Sequence, residues 1–393
     1  MANTKLVGKK AQVAPADHST AYVSAVAACP SPDERQRRHL VATGGADNLV
    51  RLYDAGSGEM VFTLAGHEGV VKAVLCHEHL LVTAGEDCLV RIWDLLRRKL
   101  VAASPGHRGT VWSACALQRG AGTVFATASE DSLLRLWSRF GVAEGVCEGH
   151  RGAVRVCTRV AARGADRGGN DLLASGGTDG TVKLWDGDQA TDLAAAGGSR
   201  VTAIAFAEGP RVLAAGSSDH TVHLWRTETG ECIAVMRTGA SDGLSAFQRR
   251  DGSGRWCLAS ASFAAKRFSF WDAESGELLG RERYPTTALT AAAWSRNGVL
   301  VFGCQDGRLS ICDLELPGPA STQHGRAGLG LGRQHRLSQP ATDSSIAEAP
   351  RPSKLTRVAT ADRAGDYSPR SAEGAVPAHE AIFMGMDSWA FFN

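Results

Sequence analysis

The chain has 393 residues, room for two or three average domains, and its 43 basic residues nearly balance 41 acidic ones, leaving +2. That balance argues against a broadly basic nucleic-acid-binding surface. No run approaches the roughly 18 apolar residues of a membrane span, and Met1 to Pro15 carries lysines without an apolar signal core. The ten cysteines are scattered with no Cys-x-x-Cys pair, several of them in apparent strand patterns (Cys88, Cys115, Cys157, Cys312). They read as small buried hydrophobes in a reducing compartment, hence a cytoplasmic or nuclear protein.

In chain order, residues 1–14 precede the first of a series of similar units. The clearest unit runs from Gly66-His67 to Trp93-Asp94, where Leu89, Arg91 and Trp93 alternate with Val90, Ile92 and Asp94. Period-2 alternation over six residues predicts a strand, not a helix. The same ending recurs at Arg51–Asp54, Arg91–Asp94, Arg135–Ser138, Lys183–Asp186, His223–Arg226, Ser269–Asp272 and Ser310–Asp313. The final positions are spaced 40, 44, 48, 40, 46 and 41 residues apart. A regular period of this size signals stacked repeats, each unable to bury its apolar face alone.

The opening Gly-His, the closing Trp-Asp and seven endings in register resemble the WD40 repeat. That resemblance implies an all-β, seven-bladed β-propeller over residues 1–316. It also implies that Lys5 to Val13 supplies the outer strand of the last blade, since an open ring would leave an unpaired edge. After Leu316 the composition turns rich in Pro, Gly, Ser, Ala and Arg without periodicity, so 317–380 is expected to be a disordered linker. Residues 381–393 are dense in aromatics and methionine and read as a docking motif, a fold-back segment or a plain extension.

The family places a buried hydrogen-bonded set in each blade: a His, a Ser/Thr, a turn Asp and the Trp. Here the sets are His67, Thr83, Asp87 and Trp93; His107, Thr127, Asp131 and Trp137; and His150, Ser175, Asp179 and Trp185. The first repeat offers His18, Thr43, Asp47 and Tyr53. A His/Ser/Asp composition suggests catalysis, but repetition in several blades points to a structural device, since a triad is recognised by geometry. The fifth repeat keeps Asp219 and Trp225, with Ala215 at the hydroxyl position and no His. The sixth has Trp271 but no turn Asp, and the seventh keeps Asp306 with Phe302 and Cys312 at two other positions. The charged insertions 32–38 and 162–170 read as solvated turns.

Other candidate chemistry is weak. Cys76-His77-Glu78-His79 falls in a turn, where alternation points the side chains apart, and no second ligand pair matches it. Gly8-Lys9-Lys10 lacks the rest of a phosphate loop, and Asp186-Gly187-Asp188 lacks calcium-loop spacing. Arg97 sits one place too late for the Trp-Asp-x-Arg ending of ubiquitin-ligase adaptors. No enzyme activity, cofactor or metal is therefore expected.

The resemblance implies a monomeric interaction scaffold within a larger complex, binding a protein or peptide on one face of the disc. The alternative is a non-catalytic subunit of an enzyme complex, a ubiquitin-ligase substrate receptor or an RNA- or ribosome-processing assembly. By family position, the face comprises Tyr22, Lys72, Thr110, Trp112, Arg155, Arg200 and Thr202, with Glu86 and Glu130 before the turn Asp. Alternation about Val71 and Val111 predicts that their neighbours, Trp112 included, are exposed, forming a hot spot with a charged rim.

Overall fold

The computed structural model describes residues 11–12, 21–29, 40–55, 57–120, 122–162, 170–193, 198–238, 242–248, 253–262, 267–283, 289–294, 299–304 and 309–313. The expectations for residues 1–10, Val13, His18, the insertion 32–38, residues 163–169 of the insertion 162–170, Asp306, the linker and the aromatic segment lie outside these. Seven four-stranded antiparallel sheets form among the described residues. Six sheets take four consecutive strands each, because short strands of alternating pattern joined by tight turns pair with their sequence neighbours.

The innermost strands are Val23–Cys29, Val71–His77, Val111–Arg119, Val154–Val160, Val201–Ala207, Gly243–Gln248 and Leu289–Trp294. Each packs against the next, and the last against the first, closing the ring. The seventh sheet takes its outer strand from the N-terminal region: Ala11 pairs with Ile311 and Gln12 with Ser310. First and last repeats thus share one sheet, which removes an open edge.

The core lies between blades, and the closing Trp residues build it. Trp93 packs with Ala42 and Leu52 of blade one, Trp137 with Val82 and Ile92 of blade two, and Trp185 with Ala126 and Leu134 of blade three. Trp225 and Trp271 repeat the contact against blades four and five. Each indole is a wedge between two sheets, so the sheets of blades two to five are apolar on both faces in the middle. Close approach at the hub demands small residues: a Cβ on Gly44 would stand 2.7 Å from Val71 Cγ1, and one on Gly303 2.6 Å from Val23 Cγ1. The second contact repeats across the closing seam what the first does between blades one and two.

The cysteines depart from expectation. Cys29 and Cys76, at the ends of the innermost strands of blades one and two, form a disulfide with Cα atoms 5.2 Å apart. The reading of all ten as unpaired thiols in a reducing compartment is corrected to that extent. Cys115, Cys147, Cys157 and Cys257 are buried, but Cys232 is exposed. Cys88 lies in a turn at φ 60°, not in a strand.

Candidate interaction face

Each of three blades carries a closed hydrogen-bonded chain. In blade two, His67 Nδ1 lies 2.8 Å from Asp87 Oδ2 and its Nε2 2.8 Å from Thr83 Oγ1, which accepts from Trp93 Nε1 at 2.8 Å. Blade three repeats this with His107, Asp131 at 2.9 Å, Thr127 at 2.8 Å and Trp137 at 2.8 Å. Blade four has His150, Asp179 at 3.0 Å, Ser175 at 2.8 Å and Trp185 at 2.7 Å.

Electrostatics assign the protons. Burial lowers the pKa of His107 and of His150, outweighing the neighbouring Asp131 and Asp179 carboxylates, so both rings are neutral at pH 7. Burial pushes the Asp131 carboxyl up, but the Arg108 N–H and His107 bring it below its ordinary value; Asp179 is lowered likewise, against burial, by the N–H groups of Arg151 and Thr181. Nδ1–H therefore donates to Asp, the hydroxyl donates to Nε2, and the indole donates to the hydroxyl. Every polar group has a partner, which is what permits polar groups inside. The hydroxyls of Thr83, Thr127 and Ser175 belong to residues with no exposed surface, so they cannot meet a substrate. These sets hold the blade together and orient its turn.

Blades five and six use reduced versions. In blade five the Trp225 indole Nε1 is buried without a hydrogen-bond partner. Asp219 there accepts from Thr221, whose hydroxyl meets His223 at 3.1 Å, and His223 stacks on Trp225 with ring centroids 5.6 Å apart. Among the described residues, blade six shows the last link, Trp271 Nε1 to Ser260 Oγ at 3.1 Å.

The turn that each set orients meets the loop before the innermost strand. The amides of Ala46, Glu86, Glu130, Thr178 and Ser218 donate to the carbonyls of Tyr22, Val70, Thr110, Ala153 and Arg200 at 2.8–3.0 Å. Residues 16 to 25 apart in sequence are thereby placed side by side on one end of the disc. Glu86, Glu130 and Arg200 are exposed there, and Tyr22, Thr110 and Arg155 half-buried.

The expected exposure of Trp112 is corrected: the residue is 7% exposed. Lys72 and Thr202 are also buried. The reason is a bulge shared by six innermost strands, whose register shifts at Ser24, Lys72, Trp112, Arg155, Thr202 and Thr290. A bulge takes its residue out of simple alternation and turns it towards the neighbouring blade. Trp112 is sandwiched as a result: the Arg155 guanidinium stands 3.5 Å from its ring centroid and the Lys72 ammonium 5.6 Å. Lys72 continues the row to Tyr22, 3.3 Å from its Oη, and pairs with Glu86 at 3.4 Å. Four adjacent blades thus contribute Tyr22, Lys72, Trp112 and Arg155 to one column of stacked rings and cations, each stack stabilising by roughly 0.5–2 kcal/mol. Sequence reasoning found these four residues but not the bulge that stacks them.

On the remaining candidates, no group of three or more His, Cys, Asp or Glu side chains gathers as a metal set among the described residues. Arg97 closes on its own Asp94 at 2.6 Å. No described helix is long and apolar enough to cross a membrane.

A ring of repeated sheets braced by internal polar chains, displaying aligned turns at one end, defines a β-propeller of the kind used to hold other proteins. The chain belongs to the WD40 family (WD domain, G-beta repeat), whose repeat matches residues 12–54, 58–94, 98–138, 141–186 and 190–226. These repeats imply a protein-interaction scaffold, and the family is generally non-catalytic. Over 132 residues the chain is 29% identical to a CCR4-associated factor 4 homolog of Candida glabrata, covering 31% of this chain and 22% of that protein. Over 129 residues it is 33% identical to the nuclear distribution protein PAC1 of Fusarium vanettenii, covering 30% of this chain and 28% of that protein. The matches span about a quarter of the length of those relatives.

Proposed function

We propose that the protein is a non-enzymatic scaffold that binds a protein or peptide across the turn-bearing end of the propeller. The observation that carries this is the column of Tyr22, Lys72, Trp112 and Arg155, bordered by the exposed Glu86, Glu130 and Arg200. With Trp112 buried, the partner meets Arg155, Tyr22 and Thr110 and the charged rim, not the indole itself. Mixed charge around an aromatic platform fits a polypeptide better than a polyanion such as nucleic acid. A monomeric propeller working inside a larger complex is the setting that fits. Propeller residues up to about 316 form the binding body in this reading, with 317–380 as a linker.

A second reading, a non-catalytic subunit of an enzyme complex, is favoured by one observation. A relative named a CCR4-associated factor homolog carries assembly in its name. The test is affinity purification from native lysate with wild type and the double variant Glu130→Lys, Arg200→Glu. The scaffold reading expects a stoichiometric protein to be lost from the variant while the melting temperature is unchanged. A co-purifying protein retained equally by both would contradict this face, and a retained catalytic assembly would favour the second reading.

A further inference from the structure

Two positions per blade are held in the same place at the turn-bearing end. The residue after each opening histidine is fixed by its amide: Glu68, Arg108 and Arg151 donate to the turn carboxylates of Asp87, Asp131 and Asp179 at 3.3, 3.0 and 2.8 Å. The residue before the turn Asp is fixed by its own amide, which donates to the entry loop. The entry-loop glycine lies against it. A Cβ on Gly69 would stand 2.9 Å from Glu86 Cβ, one on Gly109 3.0 Å from Glu130 Cβ, and one on Gly152 2.5 Å from Thr178 Oγ1. Successive blades therefore present equivalent positions, and only the side chains change.

Those side chains are sorted by sign. Blades two and three present Glu68, Glu86 and Glu130, all exposed. Blades four and five present the exposed Arg151 and Arg200 with the half-buried Arg155, and neutral Thr178 and Ser218 take the positions of Glu86 and Glu130. Each arc holds a minority of the other sign. Arg108 is exposed in the acidic arc, where Lys72 is buried against Glu86. Asp219 is exposed in the basic arc and accepts from the amide and hydroxyl of Thr221. Arg155 is suited to a carboxylate. Its guanidinium stands 3.5 Å from the Trp112 ring centroid, so stacking occupies a face of the group. The N–H donors lie in the edge, where a carboxylate is met by two parallel hydrogen bonds.

We propose that this end selects a peptide whose charges are segregated as its own are, an inference that rests on the reading of the end as the partner site. An acidic segment of the peptide sits on Arg151, Arg155 and Arg200, and a basic segment lies over Glu68, Glu86 and Glu130. The order of the two segments sets the direction in which the peptide crosses the disc. A peptide of the same composition with alternating charges meets like charge on both arcs and binds less tightly.

The test uses two fluorescent peptides of one composition. The block peptide has a run of glutamates, a Gly-Ser spacer and a run of lysines; the alternating peptide interleaves the same residues. Fluorescence anisotropy at low salt should show the full chain binding the block peptide roughly fivefold tighter. Arg151→Glu with Arg200→Glu should weaken the block peptide about fivefold. Adding Glu68→Lys and Glu130→Lys, which reverses both arcs, should restore its affinity, because the peptide then binds end for end. A benzophenone on the acidic end of the block peptide should label residues 151–200 in wild type and 68–130 in the reversed protein. Equal affinity for the two peptides, or a label that does not move in the reversed protein, overturns the proposal. The partner reading survives that result if the labels still fall on the turn-bearing end. Labels on the opposite end of the disc contradict both.

Discussion

The indole N–H of Trp225 is buried without an acceptor because Ala215 stands where Thr83, Thr127 and Ser175 accept the same bond from Trp93, Trp137 and Trp185. The register is the same in each sheet: Leu213 pairs with Trp225 as Leu81 pairs with Trp93. Read from sequence, Ala215→Ser should do little, because the blade has no opening histidine. The geometry reverses that expectation. A serine there needs no histidine, as Ser260 shows by serving Trp271 alone. Ala215→Ser should raise stability by about 1 kcal/mol, since it supplies the missing acceptor. An unchanged or lowered midpoint in urea unfolding would contradict this.

The complete chains predict the opposite sign. Asp131→Ala or Asp179→Ala should lower stability by about 1–3 kcal/mol, because each leaves a buried imidazole donor unpaired. Asp219→Ala should cost less, since Asp219 is exposed and serves only its own turn. Chemical denaturation of the three variants side by side checks the order.

The fold was largely legible in sequence, and the reason is repetition. One Trp-Asp ending says little, but seven at a steady period specify sheets that must stack, and the shared-sheet closure at Ala11–Gln12 follows from avoiding an edge. The hydrogen-bonded sets were legible too, because their offsets repeat. Three things were not. The bulge at Lys72, Trp112 and Arg155 breaks the alternation rule where the face is built, and no residue type announces it. The Cys29–Cys76 bond joins positions 47 apart that meet only when two blades are side by side. The missing acceptor of Trp225 was visible as Ala215, but its consequence required the register.

Burial of Trp112 changes what its removal does. Trp112→Ala should cost about 3–5 kcal/mol of stability, as expected for truncating a buried tryptophan. Arg155, half-buried on the indole, should be far cheaper to lose. A melting temperature for Trp112→Ala equal to wild type would mean that the ring is exposed after all.

Acid should unfold the propeller in two stages. His107 and His150 titrate below the ordinary 6.5 when folded, so the unfolded chain binds protons first and their contribution, complete above 6.5, is lost as pH falls through the lowered folded values. Asp131 and Asp179 are also depressed, so their contribution is complete above the ordinary 3.8 and lost as pH falls further through their folded values. Urea midpoints should be flat above pH 7 and fall below about pH 6.5. The His107→Gln, His150→Gln double variant should weaken the first stage, leaving the part that His77 and His223, also lowered by burial, contribute, and keep the second.

Reduction should loosen the seam between blades one and two. Closing a loop of 47 residues restricts the unfolded chain by about 4 kcal/mol in the chain-entropy model, so Cys29→Ser should lower stability by up to that amount. Reductant should shift wild type towards the variant and leave the variant itself unmoved.

The central claim is that the turn-bearing end of the disc is where a partner binds. The most direct measurement places a photo-crosslinking amino acid at Glu130, on that end, and in a second protein at Glu78, exposed in the turn at the opposite end of its sheet. Both proteins are irradiated in native lysate and their adducts identified by mass spectrometry. The account predicts a discrete protein adduct from Glu130 that is absent from Glu78. The same adduct from Glu78 alone, or none from Glu130, would contradict it.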